Sequence, residues 1–366
     1  MRLSSTLSVY IGRQFLWNFL GLLAIILLIV LLFDSIELLR RTHSRQNVTF
    51  VIILQLALLK LPYMAQQVFP FATLFGGMLT FWRLARHQEL VVSRSAGISA
   101  WQFLLPVIAV GFFLGILQMT ALNPLASTTL SQYERSEILL FKGGRNQLEI
   151  SKTGVWLRQS NTQGQAVIRA TRIITEGKSI SLHGITVFLF KGSDQFYQRF
   201  DANSATLEDG FWHIKNAWVQ TPETTPVHEQ TMWLETDLTF DSIQDSFAAP
   251  ETMSFWSLPG FVTQLEESGF SAIRHRLYLH SLLSAPLLMC AMVLIAATFT
   301  LRHGRRGNTV FVISGGIMTG FVLYFFSDIV FALGQTDAIP VILAAWTPSG
   351  VATLLGLTTL LHLEDG

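Results

Sequence analysis

Apolar stretches long enough to cross a lipid bilayer occupy both ends of this 366-residue chain, and a polar segment separates them. A helix needs roughly 20 apolar residues to span the hydrocarbon core. A water-soluble globular fold is therefore excluded, and the sequence predicts an α-helical membrane protein with six transmembrane helices. The six stretches, three on each side of the polar segment, are Phe15–Phe33, Leu61–Trp82, Trp101–Leu122, Leu277–Leu301, Asn308–Ser327 and Ala338–Leu363.

Charge and cysteine content exclude several classes of function. Only 13% of the residues are charged and the formal net charge is +1, so the basic stripe of a nucleic-acid-binding protein is missing. The single cysteine, Cys290, rules out an intrachain disulfide and argues against a cysteine-based zinc site. We find no complete hydrolase, metalloprotease or nucleotide-binding motif. The sequence therefore predicts no catalytic residue and no metal site.

The basic residues of the short loops fall on one side of the membrane if the six spans alternate. They are Arg2, Arg13, Arg83, Arg86, Arg94, Arg302, Arg305 and Arg306. The opposite short loop carries Asp328 and Asp337 and no lysine or arginine. Positive charge in short loops marks the cytoplasm. We therefore expect both termini in the cytoplasm, and the polar middle segment on the outer side.

The middle segment, residues 124–256, predicts an inserted all-β domain between two membrane halves, residues 1–123 and 277–366. Short alternating runs separated by glycine and polar clusters favour a sandwich or jelly roll over βαβ units. The predicted strands are Lys152–Arg158, Ala166–Ile173, Ile180–Phe190, Phe196–Ala202, Phe211–Val219 and Thr231–Phe240.

A connecting helix follows the β domain at residues 257–276. The pattern over Ser257–Leu279 predicts a helix with a break around Leu258, Pro259 and Gly260. Acidic residues in its middle and basic residues at its end suit a helix on the outer membrane face. The same charges also suit a solvated helix that complements its own dipole.

The loop between the second and third spans predicts a short amphipathic helix at about residues 84–97 on the inner membrane face. Glu89 is the only acidic residue among the basic residues of the inner loops. Such a carboxylate can dock onto hydrogen-bond donors of a partner protein. It can equally pair within the helix, with Arg86 or Arg94.

The outer end of the first span carries Asp34, Glu37, Arg40 and Arg41. Helical spacing places Asp34, Glu37 and Arg41 roughly on one face. Charges at the end of a span commonly snorkel to the interface, whereas charges that face a bundle cavity mark a substrate path. Paired arginines suit phosphate groups, because the forked guanidinium forms bidentate hydrogen bonds. An anionic lipid headgroup is therefore a fitting ligand here.

Gln88-Glu89-Leu90-Val91-Val92 and Ser95-Ala96-Gly97 lie between the second and third spans. Together with the order of three spans, an outward β domain and three further spans, they resemble the LptF/LptG permeases of lipopolysaccharide export. The most specific match is the segment from Gln88 to Val92, with Ser95-Ala96-Gly97 after it. Other matching segments are Leu258-Pro259, Leu265 through Ser268-Gly269, and His280 to Pro286. Three more segments resemble the LptG branch of the family more than the LptF branch: Tyr10-Ile11-Gly12-Arg13, Ile339-Pro340 and Trp346-Thr347-Pro348.

The resemblance implies a non-catalytic permease subunit that binds no cofactor itself. Such permeases pair with a homologous second permease and a dimer of cytoplasmic ATPases, which use ATP and Mg. They lie in the bacterial inner membrane, among membrane lipids, and extract lipopolysaccharide from it. Their periplasmic, jelly-roll-like β domain passes the lipid to bridge proteins with similar domains. No nucleic acid is expected as a partner.

The resemblance also assigns roles to particular residues. Glu89 matches the acidic residue of the coupling helix that docks in a groove of the ATPase, and its neighbours there are Arg86, Leu90 and Arg94. The end of the first span matches the region that meets the lipid phosphates. This assigns phosphate binding to Arg40 and Arg41, and Arg135 is a further candidate.

The sequence departs from the family pattern at Asp34, where family examples carry a lysine. The departure puts a phosphate contact of Asp34 in doubt. We expect Asp34 to pair with a nearby arginine, and we place Asp34 and Glu37 along the lipid path.

Two other classes of function compete with a lipid transporter. A mechanotransmitting permease moves an outward domain without passing a lipid, but such proteins commonly have four spans with the domain after the first. A membrane-embedded hydrolase would need a nucleophile and a base together. Ser284 and His280 lie four residues apart on one predicted helix, but no orienting acid lies near them.

The aromatic residues of the β domain allow two interpretations: an apolar trough for acyl chains, or a dry core. The resemblance favours the trough, with its edge paired to a partner's sheet. Lipid should then contact alternate residues along Ile180–Phe190. The residues that could face inward are Trp156, Phe188, Phe190, Phe211, Trp212, Trp218 and Trp233.

Overall fold

The structure is a computed structural model that describes residues 5–42, 50–89, 95, 99–137, 147–151, 154–161, 164–176, 179–191, 195–208, 210–222, 225–236, 248–267, 271–303 and 309–364. The described residues form eight α-helices and seven β-strands. The helices are α1 (Ser5–Thr42), α2 (Phe50–Arg86), α3 (Ala100–Leu117), α4 (Asn123–Glu137), α5 (Leu258–Glu267), α6 (Ile273–His303), α7 (Thr309–Gln335) and α8 (Val341–Glu364). A π-helical turn, Gln118–Leu122, joins α3 to α4, and a short 3₁₀ helix spans Pro250–Thr252.

The chain divides into a helical unit and a sheet unit. The helical unit consists of Met1–Tyr133, Ser254–Trp256 and Ile273–Gly366. The sheet unit consists of Glu134–Met253 and Ser257–Ala272. The inserted all-β domain predicted from the sequence is thereby confirmed.

The six predicted membrane spans are confirmed as helices of sufficient length and apolarity. They are Thr6–Arg41, Phe50–Arg86, Trp101–Glu137, Ile273–Thr300, Ser314–Gln335 and Val341–His362. The helix α6 lies at the centre and packs against α2, α3 and α8. Of the most apolar stretch of α6, 72% is buried inside the protein, whereas the corresponding value for α1 is 6%.

Glycine residues let the central helices pack with their backbones close together. Gly111 and Gly115 are four residues apart on α3 and both face α6. A Cβ atom at Gly115 would lie 2.8 Å from the Pro286 backbone nitrogen, and a Cβ atom at Gly111 would lie 3.1 Å from Val293. Small residues at this spacing are the usual way for membrane helices to pack closely, because lipid supplies no hydrophobic drive between them.

Two predicted boundaries differ from the structure. Residue 124, the expected start of the β domain, lies inside a helix, because the π-helical turn carries the third span on into α4. The predicted break at Leu258–Gly260 is instead the first turn of α5, where proline is tolerated because its missing N–H needs no partner. The helix α5 ends at Glu267, and α6 starts at Ile273.

The seven strands form one antiparallel sheet in which each strand pairs with the next along the chain. In this sheet of described residues the order is that of a meander, without the crossover of a Greek key. The strands are β1 (Gln147–Ser151), β2 (Gly154–Asn161), β3 (Gly164–Glu176), β4 (Ser179–Lys191), β5 (Gln195–Glu208), β6 (Phe211–Gln220) and β7 (Val227–Glu235). The sequence did not predict β1, which is short and half polar.

The sheet curls strongly enough to bring β2 to the end of β7. The Gln159 side chain on β2 donates from Nε2 to the Glu235 carbonyl oxygen at 3.1 Å. Thr236, just after β7, donates to Gln159 Oε1 at 2.6 Å. β2 and β7 are five strand positions apart, so at about 4.8 Å per strand a flat sheet would hold Gln159 and Glu235 far from each other. The curl therefore closes one corner of the sheet and encloses its apolar face.

A line of irregularities crosses the sheet from β3 to β7. The pairing passes over one residue in each strand, namely Thr171, Gly184, Asn203, Asn216 and Gln230. We call this line the crease. The passed-over residues lie beside one another, so the strands stay paired on both sides of the crease. Within each strand, the residues that face the core change there from one alternate set to the other. The backbone of Gly184 has φ +60° and that of Asn216 has φ 54°, a left-handed conformation that these residue types tolerate.

The crease changes which residues of β4 face the core. Ile180 and Leu182 are buried before it, and Ile185 and Val187 after it. The expected strict alternation along Ile180–Phe190 is therefore wrong, since its phase changes at Gly184. Large apolar side chains from β2 to β6 fill the core, together with Val262 and Leu265 of the helix α5.

Of the seven aromatic residues proposed to face inward, Trp212 is the one that belongs to the buried core. Trp156, Phe188, Phe211 and Trp218 each neighbour a buried residue along their strands, and Trp233 lies between the partly buried Met232 and Leu234, so all five lie on the opposite face. There they contact polar neighbours: Trp233 stacks on His213 at 4.3 Å, and the Arg169 guanidinium lies 5.6 Å from the Trp156 ring. Sequence reasoning erred because an aromatic side chain was assumed to be an interior one.

Candidate functional site

The C-terminal end of α1 carries the charged residues that the sequence singled out. At 1.5 Å per residue, this helix of 38 residues is roughly 57 Å long, which exceeds the hydrocarbon core by roughly 27 Å. A helix of this length therefore reaches beyond the hydrocarbon core. Around the charged end, apolar side chains remain uncovered, for example Phe33 and Ile36.

Asp34 forms an ion pair with Lys60 on α2, at 2.6 Å between Oδ1 and Nζ. The two side chains are only 16% and 23% exposed. The Lys60 ammonium also lies 5.6 Å from the centre of the Tyr133 ring on α4, so three helices meet at this charge. The expected partner of Asp34 was an arginine, and the structure corrects this: a lysine from the neighbouring helix holds it.

Glu37 is held by both arginines of the α1 end. Arg40 donates from Nε to Oε2 at 2.9 Å and from Nη2 to Oε1 at 3.0 Å, while Arg41 donates from Nε to Oε1 at 2.8 Å. Arg40 and Arg41 are 77% and 55% exposed. The predicted common face of Glu37 and Arg41 is thus present, and Asp34 turns toward α2. Ion pairs this exposed contribute little free energy, so both arginines remain accessible to a competing anion.

Arg135, the third candidate for phosphate, is exposed on α4, two residues after Tyr133. Among the described residues, no group of three His, Cys, Asp or Glu side chains is arranged to hold a metal ion.

A polar network joins α1 to the C-terminal end of α2. The buried Asn18 donates to Thr80 at 2.8 Å and accepts from Arg83 at 3.1 Å. Here too the helices meet closely, because a Cβ atom at Gly76 would lie 3.0 Å from the Phe19 Cα. The network ties the last turns of α2, which lead to the predicted coupling helix, to the first span.

Glu89 lies just beyond α2. The helix ends at Arg86, and the chain turns through Gln88, which has φ 60°. The Tyr10 hydroxyl donates to Glu89 Oε1 at 3.4 Å. The Arg86 guanidinium lies 5.1 Å from the centre of the Trp82 ring. The remaining predicted coupling residues, Leu90 and Arg94, lie outside the described residues.

Comparison with known proteins identifies the family. The profile described as "Lipopolysaccharide export system permease LptF/LptG" matches residues 9–362. The chain belongs to the LptF/LptG family. It is a multi-pass inner-membrane protein and a permease subunit of lipopolysaccharide export.

Two relatives with the LptG name are similar over most of their length. The lipopolysaccharide export system permease protein LptG of Escherichia coli K12 is 26% identical over 313 residues, which cover 83% of this chain and 84% of the relative. The protein of the same name from Haemophilus influenzae is 25% identical over 299 residues, 80% of each chain. The resemblance to the family, and to its LptG branch, is confirmed.

Sequence reasoning missed three residues of these two regions. Lys60 was passed over because it stands one residue before the predicted second span, and Asn18 because a single amide in an apolar run gives no signal. Tyr10 was noted only as part of the family motif. Lys60 could have been found from two facts: it is an isolated charge at the edge of the second span, and Asp34 at the end of the first span needed a cationic partner.

Proposed function

We propose that this chain is the membrane subunit of an ABC transporter that lifts lipopolysaccharide from the outer leaflet of the inner membrane and passes it to a periplasmic bridge. The observation that carries the proposal is the exposed arginine pair, Arg40 and Arg41, at the end of a transmembrane helix in a chain of the LptF/LptG family. The forked guanidinium groups suit the phosphates of a lipid headgroup. Arg135 is a further contact, and Asp34 and Glu37 lie along the path.

The partners are a homologous permease, a cytoplasmic ATPase dimer that uses ATP and Mg, and periplasmic bridge proteins. The exposed apolar surface of α1 suits contact with lipid or with the second permease, because 6% of its most apolar stretch is buried inside this chain. The arginines of the inner loops support a cytoplasmic position for both termini. The β domain is then periplasmic.

Glu89 is the residue through which ATP hydrolysis drives transport. Its carboxylate lies just past the end of α2, where it accepts a long hydrogen bond from an exposed tyrosine and can exchange it for donors of an ATPase groove. A hydrogen bond to a charged group contributes roughly 1.5–3 kcal/mol, and each 1.4 kcal/mol corresponds to about a tenfold change in affinity.

Glu89→Ala should leave the fold intact and uncouple ATP hydrolysis from export. The assembly, purified with its ATPase and second permease, is reconstituted in liposomes, and ATP hydrolysis and lipopolysaccharide release are measured together. His87→Ala is the matched control, since His87 is exposed in the same turn. The proposal fails if Glu89→Ala assembles with the ATPase and exports lipid at the wild-type rate.

The β domain would carry the acyl chains along its apolar face. In this structure the face is filled, since Val262 and Leu265 pack with the strand residues. Lipid passage along it therefore requires α5 to move away from the sheet. During ATP-driven export, a photo-crosslinker should label lipopolysaccharide from Leu182, Ile185 and Val187, with the phase change at Gly184. Outward positions such as Thr186 are the controls, and equal labelling of both faces, or of neither, would make the domain a scaffold.

A further inference from the structure

We propose that Lys60 binds the anionic headgroup of the exported lipid, and that Asp34 is an internal counter-ion that occupies Lys60 until a headgroup phosphate displaces it. This inference rests on the proposed transport of a phosphorylated lipid. It adds a residue on a second helix to the site formed by Arg40 and Arg41, and it gives Asp34 a role of its own.

Burial of the Asp34–Lys60 ion pair costs free energy, and a role in binding substrate would explain why the pair is there. Lys60 and Asp34 are 23% and 16% exposed, and they lie at the outer ends of two transmembrane helices. Removing charges from water costs several kcal/mol per ion, and an apolar pair of similar volume is often at least as stable. Ionisable residues in transmembrane segments commonly mark substrate paths.

The pair is incompletely satisfied, which makes it exchangeable. Asp34 Oδ2 is buried and has no hydrogen-bond partner among the described residues. The Lys60 ammonium carries three N–H donors, and its hydrogen bond to Asp34 uses one of them. A phosphate group presents more acceptor oxygens than this carboxylate offers. Displacement therefore gives Lys60 a partner with more acceptor oxygens and releases the Asp34 carboxylate.

Glu37 provides the contrast on the same helix. Its two oxygens accept three hydrogen bonds from Arg40 and Arg41, in an exposed setting. Exposed ion pairs hold little free energy, so freeing these arginines changes little. Lys60 is also the only lysine in residues 1–137, and a compact ammonium on a flexible stem releases one partner for another more readily than a bidentate guanidinium.

The test measures headgroup selectivity of the complete assembly in nanodiscs. The nanodiscs contain equal amounts of bisphosphorylated lipid A and fully dephosphorylated lipid A, and mass spectrometry gives the ratio in which the purified assembly retains them. Asp34→Asn should raise this phosphorylated-to-dephosphorylated ratio, because Lys60 then lacks its internal anion. Lys60→Met should lower the ratio by roughly tenfold, the value of one charge-assisted hydrogen bond. Asp328→Asn is the matched control, because Asp328 is exposed on α7 and has no place in the proposed lipid site, and it should leave the ratio near the wild-type value.

Two further outcomes separate a failure of the role of Lys60 from a failure of the proposed function. If Arg40→Gln with Arg41→Gln lowers the ratio while Lys60→Met and Asp34→Asn leave it unchanged, the role of Lys60 is overturned and the proposed function stands. If the wild-type assembly retains neither lipid, the proposed function fails, and this inference fails with it.

A variant that removes both charges covers the case in which a single variant does not assemble. Asp34→Asn with Lys60→Met leaves no unpaired ion, so the helices keep their packing. The double variant should show the low ratio of a site without its cation. A wild-type ratio in that variant would make the pair purely structural and overturn the proposal.

Discussion

The helices of the helical unit approach most closely at glycine residues, with large side chains such as Phe15 and Phe81 packed around these contacts, whereas the sheet unit covers one face of its paired strands with large apolar side chains. Around α6 such contacts include Gly77 against Ala296 and Gly115 against the Pro286 backbone. In the sheet the largest fully buried side chains include Trp212, Phe200 and Ile168. The first unit gains stability from backbone proximity, and the second from apolar area removed from water. They should therefore fail under opposite substitutions: added atoms in one, removed atoms in the other.

The largest effect is expected in the sheet unit, for Trp212→Ala. Trp212 is 1% exposed, and truncation of a buried tryptophan costs about 3–5 kcal/mol. Pulse proteolysis of the full-length chain in detergent with increasing urea measures the loss of stability. Trp233→Ala is the matched control, because this side chain is 55% exposed and loses mainly its stacking on His213.

Trp212→Phe separates apolar area from hydrogen bonding at this position. The indole nitrogen of Trp212 is buried without a hydrogen-bond partner among the described residues. Phenylalanine removes that unsatisfied donor, so it should cost far less than alanine. Equal losses for the two variants would contradict the view that apolar area holds this core.

The helical unit should respond to an added methyl group, in Gly115→Ala. The new Cβ atom would meet the Pro286 backbone, which cannot rotate away as a side chain can. Overpacking of this kind costs about 1–3 kcal/mol, because α3 and α6 must separate. Thermal unfolding of the purified permease reports the loss. Gly21→Ala and Gly350→Ala are matched helical controls with nothing within 4 Å of the new atom, and a loss equal to theirs would refute the close-contact explanation.

The smallest effect is expected at the crease, for Gly184→Ala. The left-handed backbone costs an alanine about 1–2 kcal/mol, and the new Cβ atom lies 2.8 Å from Thr171 Oγ1. Gly210→Ala shares the positive φ but has open space around it, so the difference between the two variants isolates the crowding. The same urea-dependent proteolysis measures both. Gly184→Asn should recover part of the loss if backbone strain dominates, and a further loss would assign the cost to crowding.

The sequence predicted the helices well because their signal is local. An uncharged apolar run of 20 residues has few alternatives in a membrane protein. The inserted β domain was equally readable from short alternating runs between turns. The pairing of Asp34 with Lys60 was not, because it depends on how α1 and α2 rotate about their axes, and apolar helices with no strong apolar face leave that rotation undetermined.

The faces of the strands were the least predictable part. Alternation fixes a face only while the period of two continues, and the crease interrupts it in five neighbouring strands. Gly184 is the single glycine among those five positions, so little in the composition marks the line. Trp218 and Trp233 were therefore assigned to the interior, although the structure exposes both by more than half.

The crease also limits how the length of this domain can change in evolution. An insertion or deletion inside one strand would exchange its inward and outward residues beyond that point, and the neighbouring strands would not follow. The loops between strands can absorb such changes at little cost. Related β domains should therefore vary in length at their turns, while the line through Thr171, Gly184, Asn203, Asn216 and Gln230 is inherited or lost as a whole.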